Sequence, residues 1–294
     1  MRNLKPSPPP RLTPQAHKGD AGRVLLVCGS RAMPGAAILA ARAAQRAGAG
    51  LVAVCAFSEN LLVALPVAAP EAVMVEAAGL AARGARAFVR ELAPRNDHAW
   101  LAGSGLGRGA RTRALLEALI EESRVPLVLD ADALNELGTR LERLRRAQAP
   151  VVLTPHPGEA ERLLGRRIGS DARSRRAAAS EISSQSGAIC CLKGAGTVVA
   201  QGERVYVNRT GNAGMATAGA GDVLAGILVA YLAACSTMPS EHWTPFEAAA
   251  SAVHAHGLAG DLARRVRGMR GLVASDLVEF LPAAQIARDR RELD

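Results

Sequence analysis

The chain has 294 residues with 36 Lys and Arg against 27 Asp and Glu, a formal net charge of +9, and is 49% hydrophobic but only 3% aromatic. A mean hydropathy of +0.10 excludes general disorder, and the length allows one large α/β domain or two smaller ones. The longest apolar stretch, 223–235, is shorter than the roughly 20 residues that cross a bilayer, so no membrane span is expected; the scarcity of aromatics, with no zinc-finger or RNP-like pattern, turns the basic charge away from nucleic acid and towards an anionic small molecule.

The opening MRNLKPSPPPRLTPQ has no apolar leader core, and its prolines disfavour helix. Residues 1–16 are therefore expected to form a disordered Pro-rich tail ahead of a single domain over 17–294, in a cytoplasmic protein. Five cysteines, Cys28, Cys55, Cys190, Cys191 and Cys235, sit in apolar runs without a CxxC pair, which predicts buried thiols rather than a disulfide framework. An apolar run over 24–28, a helical spacing over 35–50 and a second run over 51–57 make a βαβ opening. The alternation continues through AVMVEAA, RGARAFVRELA, AWLAG, TRALLEALIEES, PLVLDAD and PVVLTP. These strands are apolar throughout, as in a parallel sheet covered by helices on both faces. From Gly187 the pattern changes to the short strands AICCLKG, TVVAQG and RVYVN, a hairpin-like edge, followed by a buried helix over 223–234 and a long amphipathic one over 246–266. The fold class expected is α/β, doubly wound, with a mostly parallel sheet.

Several motifs can carry chemistry. In GNAGMATAGAGD the turn Gly219, Ala220, Gly221 ends in Asp222 at the mouth of the buried helix. Small residues let backbone approach a phosphate, and the first free N–H groups of the helix point at its charge. Asp222 suits either a base or an N-cap, the second making this only a capped Gly-rich loop; Gly211 and Gly214 upstream favour function. In KGAGT, Lys193 is one of three lysines, and with Gly194, Ala195, Gly196 and Thr197 it suits a nucleotide, the plain alternative being a β-turn with a solvated Lys. Neither GxxxxGK[ST] nor a strand-borne GxGxxG is present.

His156 is held between Pro155 and Pro157 directly after the run 151–153, aimed outside the sheet's carboxyl edge, while Glu159 reads as the start of the next helix. At another strand end Asp130, Asp132 and Asn135 fit Mg²⁺ held through water or helix capping, with capping expected of at least one. His17, Lys18 and Gly19 precede the first strand. Ser30, Gly35, Ala36 and Ala37, and the GSGLGRG loop over 103–109, follow strands and leave room for a substrate. Loops after several strands converge on one edge, which would gather a cation, a His, an Asp and backbone donors into one pocket. His254 and His256 lack the i, i+4 spacing of a helical zinc pair, and no GxSxG elbow occurs.

Taken in order over 17–281, HKGDAG, GSRAMPGAAILAA, GSGLG, LDADALN, LTPHPGE, LKGAGT and GNAGMATAGAGDVLAG resemble the ADP-dependent (S)-NAD(P)H-hydrate dehydratases of the ribokinase-like superfamily. The resemblance implies a lyase of metabolite repair that consumes ADP or ATP, with Mg²⁺, to phosphorylate the hydroxyl of NADH or NADPH hydrate and then eliminate phosphate. It implies Asp222 as base and hydrate contact, with Lys193, Gly194, Ala195, Gly196, Thr197, Gly219, Ala220 and Gly221 on the nucleotide. Ala36, Ala37, Gly105 and His156 would touch the hydrate, no residue would be a dedicated metal ligand, and the chain would form a homo-oligomer. Two positions depart from the family pattern: Ser104 stands where proline is common, and Ala220 where Ser or Thr is frequent. The donors there are backbone N–H groups, so Ala220 should be tolerated. Many relatives carry an N-terminal epimerase domain that the tail has no room for, so a dehydratase alone is expected. A kinase of the same fold acting on a sugar or vitamin alcohol would use Asp222 and Lys193 equally well; the motifs beyond GAGD favour the dehydratase.

Overall fold

The computed structural model describes residues 6–77 and 83–289. Apolar runs that alternate with helices become the strands β1 (Arg23–Val27), β2 (Leu51–Ala56), β3 (Val73–Glu76), β4 (Ala99–Ala102), β5 (Leu127–Leu129), β6 (Val151–Leu153), β7 (Ile189–Leu192), β8 (Val198–Gln201) and β9 (Arg204–Val207). They form one nine-stranded sheet in the order β3-β2-β1-β4-β5-β6-β7-β8-β9. Pairing is parallel from β3 to β7, and β8 and β9 add the expected antiparallel edge. The helices are α1 (Pro34–Arg46), α2 (Glu59–Ala68), α3 (Ala85–Leu92), α4 (Ala110–Glu122), α5 (Asp132–Leu137), α6 (Pro157–Leu164), α7 (Ala172–Ser186), α8 (Ala220–Thr237), α9 (Pro245–Arg267) and α10 (Ala274–Asp289).

Alternation along each strand builds two cores. Val24 and Leu26 of β1 join α1, α8, α9 and α10 on one face, while Leu25 and Val27 join α3, α4, α5, α6 and α7 on the other. By length and composition α8 could cross a membrane, yet 72% of it is buried in this fold, where it packs against α1. A Cβ on Gly226 would stand 2.2 Å from the Ala40 carbonyl, so glycine is what lets the two helices approach.

β1 is flanked by β2 on one side and β4 on the other, which makes the carboxyl ends of β1 and β4 the switch point where doubly wound sheets bind ligands. The loops leaving them are tied together, Gly29 N–H donating to the Ser104 carbonyl at 2.8 Å. In the expected disordered tail, residues 1–5 lie outside the described residues. Residues 6–16 form no helix or strand, but disorder is corrected at Pro6 and Ser7, whose carbonyls accept from Arg288 Nη2 at 2.9 and 2.7 Å. Ser251 Oγ also donates to the Ser7 carbonyl at 2.8 Å. All five cysteines are free, four of them buried.

Candidate active site

Gly219 occupies the N-cap of α8 with a φ of +87°, and no side chain caps this helix end. Asp222 is thus not the cap: it lies inside the first turn, where Ala220 N–H donates to the Thr217 carbonyl at 3.4 Å and the Gly221 and Asp222 amides are left for a ligand. His256 of α9 braces the turn from behind, its Nε2 lying 2.9 Å from the Ala220 carbonyl. A carbonyl only accepts, so Nε2 carries the hydrogen. Burial, against the hydrogen bond to Ala220 and with the charge of Lys193, pulls the His256 pKa down to about 4 and keeps the ring neutral.

The carboxyl of Asp222 is pushed up from 3.8 to about 6, first by burial and then by the neighbouring charge of Asp130; the Ser104 hydroxyl and the Lys193 ammonium pull against that rise. Asp130, at the end of β5, is 1% exposed. Its Oδ1 accepts from Thr154 Oγ1 at 2.6 Å and from Lys193 Nζ at 2.8 Å, and its Oδ2 from Ser104 Oγ at 3.0 Å. Glu159 Oε2 lies 3.8 Å from the same ammonium. Burial works against the charged lysine, but Asp130 and Glu159 outweigh it and its pKa rises. One ammonium thus faces three carboxylates, those of Asp130, Glu159 and Asp222.

This geometry revises one expectation and decides between the two readings of Lys193. No side chain caps α5: Asp130 is the ion-pair partner just described, and Asp132 Oδ2 accepts from Gly107 N–H at 2.9 Å. Between the two, Ala131 is held at φ +48°, a conformation that costs a non-glycine residue on the order of 1 kcal/mol or more. Nor is Lys193 a solvated turn lysine. Its ammonium points under the sheet edge, 3.4 Å from where a Cβ on Gly221 would stand, so it joins the end of β7 to the first turn of α8. The two Gly-rich motifs therefore meet at one place.

His156 is the N-cap of α6 in a reciprocal capping box. Its Nδ1 accepts from Glu159 N–H at 3.3 Å while its own N–H donates to Glu159 Oε2 at 2.7 Å. Burial, then the charges of Lys193 and Arg162, lower its pKa, so near pH 7 it presents a neutral Nε2–H. Ala36 and Gly105 face each other across the switch point, a Cβ on Gly105 falling 2.8 Å from that of Ala36. Ala37 is 0% exposed and packs beneath Gly29, so its expected contact with substrate is corrected: it is floor rather than lining. Arg175, whose guanidinium reaches the carbonyl of Ala195, was passed over by the motif reading, while Asp130 was read there as a Mg²⁺ or capping carboxylate and Glu159 only as a helix start. The signal for Asp130 was a carboxylate at a strand end in LDADALN.

A model of a family described as NAD(P)H-hydrate dehydratase matches residues 24–283. The chain is 40% identical over 281 residues to the ADP-dependent (S)-NAD(P)H-hydrate dehydratase of Neisseria meningitidis, covering 94% of this chain and 88% of that protein. Its fold matches the ADP/ATP-dependent NAD(P)H-hydrate dehydratase of Bacillus subtilis, co-crystallized with ATP/Mg²⁺, with a TM-score of 0.81 at 29% identity over 96% of this chain and 95% of that one. It also matches a ribokinase-like superfamily protein from Enterococcus faecalis, with a TM-score of 0.75 at 25% identity over 96% and 92%. The chain spans about half the length of the bifunctional NAD(P)H-hydrate repair enzymes among the curated relatives it matches.

Proposed function

Because the chain belongs to the NAD(P)H-hydrate dehydratase family, we propose that it is a lyase that restores NADH or NADPH from the (S) hydrate at the cost of ADP or ATP. The observation that carries this reading is a half-buried carboxylate, Asp222, whose pKa of about 6 suits proton abstraction near neutral pH. It sits at the helix end not capped by any side chain. Asp222 takes the proton of the hydrate hydroxyl, whose oxygen bonds to the terminal phosphorus of the nucleotide as the phosphoanhydride bond breaks and AMP or ADP leaves. Inorganic phosphate then departs from the same ring carbon with loss of a proton from its neighbour, and the ring double bond returns. The amides of the 194–197 turn and of the first turn of α8 hold the phosphates, Lys193 offsets their charge, and His156 orients the hydrate. Among the described residues no three His, Cys, Asp or Glu side chains gather to hold a bare ion. Mg²⁺ would enter bound to the nucleotide's phosphates and neutralise them there.

The test is to mix the protein with Mg²⁺, NADH hydrate and ADP, ATP or neither, and follow the absorbance of reduced nicotinamide. Recovery only with nucleotide, with one phosphate released per NADH, is expected. Recovery without nucleotide, or nucleotide hydrolysis without recovery, would refute the reading; phosphate appearing on a sugar or vitamin alcohol instead would identify a kinase.

A further inference from the structure

We infer that Arg175 is the positioning residue of the nucleotide-binding turn, clamping the carbonyls behind residues 193–196 so that the amides face the phosphates. The inference rests on the proposed reading of that turn as the nucleotide site.

Arg175 projects from the first turn of α7, which is fixed by Asp171 accepting from the N–H groups of Arg173 and Ser174 at 3.0 and 2.9 Å. Its Nη2 donates to the carbonyls of Lys193 at 3.1 Å and Leu192 at 3.4 Å, and Nη1 donates to that of Ala195. Gly194, at φ +131°, makes the seat possible: a Cβ there would fall 2.9 Å from Nη2. The C=O and N–H of a trans peptide point in opposite directions. Holding the carbonyls of residues 193 and 195 against the guanidinium therefore turns the N–H groups of Gly194 and Gly196 to the other side. The preceding peptide identifies that side, because the Leu192 carbonyl faces Arg175 while Lys193 N–H donates to the Pro155 carbonyl at 2.8 Å. Pro155 leads directly into His156, so the far side of the turn is the side of the candidate site.

Charge acts in the same direction as orientation. The guanidinium directs its bonds to neutral carbonyls, Nε is buried without a partner, and burial lowers the Arg175 pKa. Among the described residues no carboxylate forms an ion pair with Arg175. A partly desolvated cation without a counter-charge is costly, and an anion arriving on the opposite face of the turn supplies that charge. Arg175 thus aims the peptide dipoles at the phosphates and adds an attraction through the turn, without being placed to touch the reacting atoms.

The experiment compares wild type, Arg175→Met and Arg175→Lys by the thermal shift that ADP or ATP induces and by separate KM values for nucleotide and hydrate. In Arg175→Met the nucleotide KM should rise about tenfold or more and the thermal shift shrink, while hydrate KM and kcat at saturating nucleotide stay within about twofold. Arg175→Lys keeps the charge but not the fork, and should raise the nucleotide KM by an intermediate factor. Nucleotide KM and shift within about twofold of wild type in Arg175→Met would overturn the inference; so would an equal rise in both KM values, the mark of a general structural role. If Arg175→Met does not fold, Arg175→Lys decides, an unchanged nucleotide KM overturning it. A wild-type protein that no nucleotide stabilises would instead remove the reading of the turn on which the inference depends.

Discussion

Replacing Asp222 by Asn should make the protein less active and, at neutral pH, more stable. In the unfolded chain this carboxyl ionises near 3.8, and in the fold near 6. Below about pH 4 both states hold the proton, and wild type and variant should be equally stable. Between those values the folded protein keeps a proton that the unfolded chain has released, so wild-type stability falls as pH rises through this window and levels off above about 6. At 1.36 kcal/mol for each factor of ten in proton affinity, the full penalty is at most about 3 kcal/mol. Asn cannot ionise and escapes it. In a chain of this size that gap corresponds to a Tm increase of roughly 5 °C at pH 7 to 8, closing towards pH 4. The amide cannot accept the hydroxyl proton, so kcat should fall by about 10² to 10⁴. The same protonation gives wild-type kcat/KM an acid limb near pH 6. Melting curves from pH 4 to 8, alongside hydrate turnover on the same preparations, test both halves. A stability gap that does not change with pH, or turnover within a few-fold of wild type, would refute the assignment of Asp222 as a partly desolvated base.

Removing the Lys193 ammonium by Lys193→Met leaves Asp130, 1% exposed, as an uncompensated buried charge and should cost about 3–5 kcal/mol in urea unfolding. Asp130→Asn on that background should recover part of the loss, and strictly additive costs would show that the pair is not coupled. Gly105→Ala forces a Cβ into φ +65° and to within 2.8 Å of Ala36; a stability loss on the order of 1–3 kcal/mol with a raised hydrate KM is expected, and an unchanged Tm would contradict the geometry. His156→Ala removes an N-cap, at about 1 kcal/mol, and should raise hydrate KM more than it lowers kcat. A defect confined to kcat would exclude its orienting role.

The alternation of apolar runs and helical spacings was enough to specify the parallel sheet, the antiparallel edge that β8 and β9 add and the buried helix behind Asp222, because these follow from side-chain periodicity and turn chemistry within short windows. The glycines at strand ends likewise marked the loops that converge at the switch point. Asp222 stood out for the same local reason, but as either a base or an N-cap; the cap reading fell only when the fold put Gly219 at that position. What the residues around it do was decided by the tertiary structure. Asp130 and Lys193 are 63 residues apart, and nothing between them in the chain announces a pair. They meet because β5, β6 and β7 lie side by side, which brings the ends of β5 and β7 to either side of Thr154. That neighbourhood, rather than any local motif, turned an expected helix cap into an ion-pair partner and decided against the plain alternative of a solvated turn lysine, pairing the half-buried Lys193 ammonium with Asp130. It also raised the pKa of Asp222, since burial and the charge of Asp130 act only once the strands are adjacent. Ala37 shows the converse: it shares its sequence context with Ala36, but one step along a helix rotates a side chain by about 100°, and only packing beneath Gly29 determined which of the two faces the pocket.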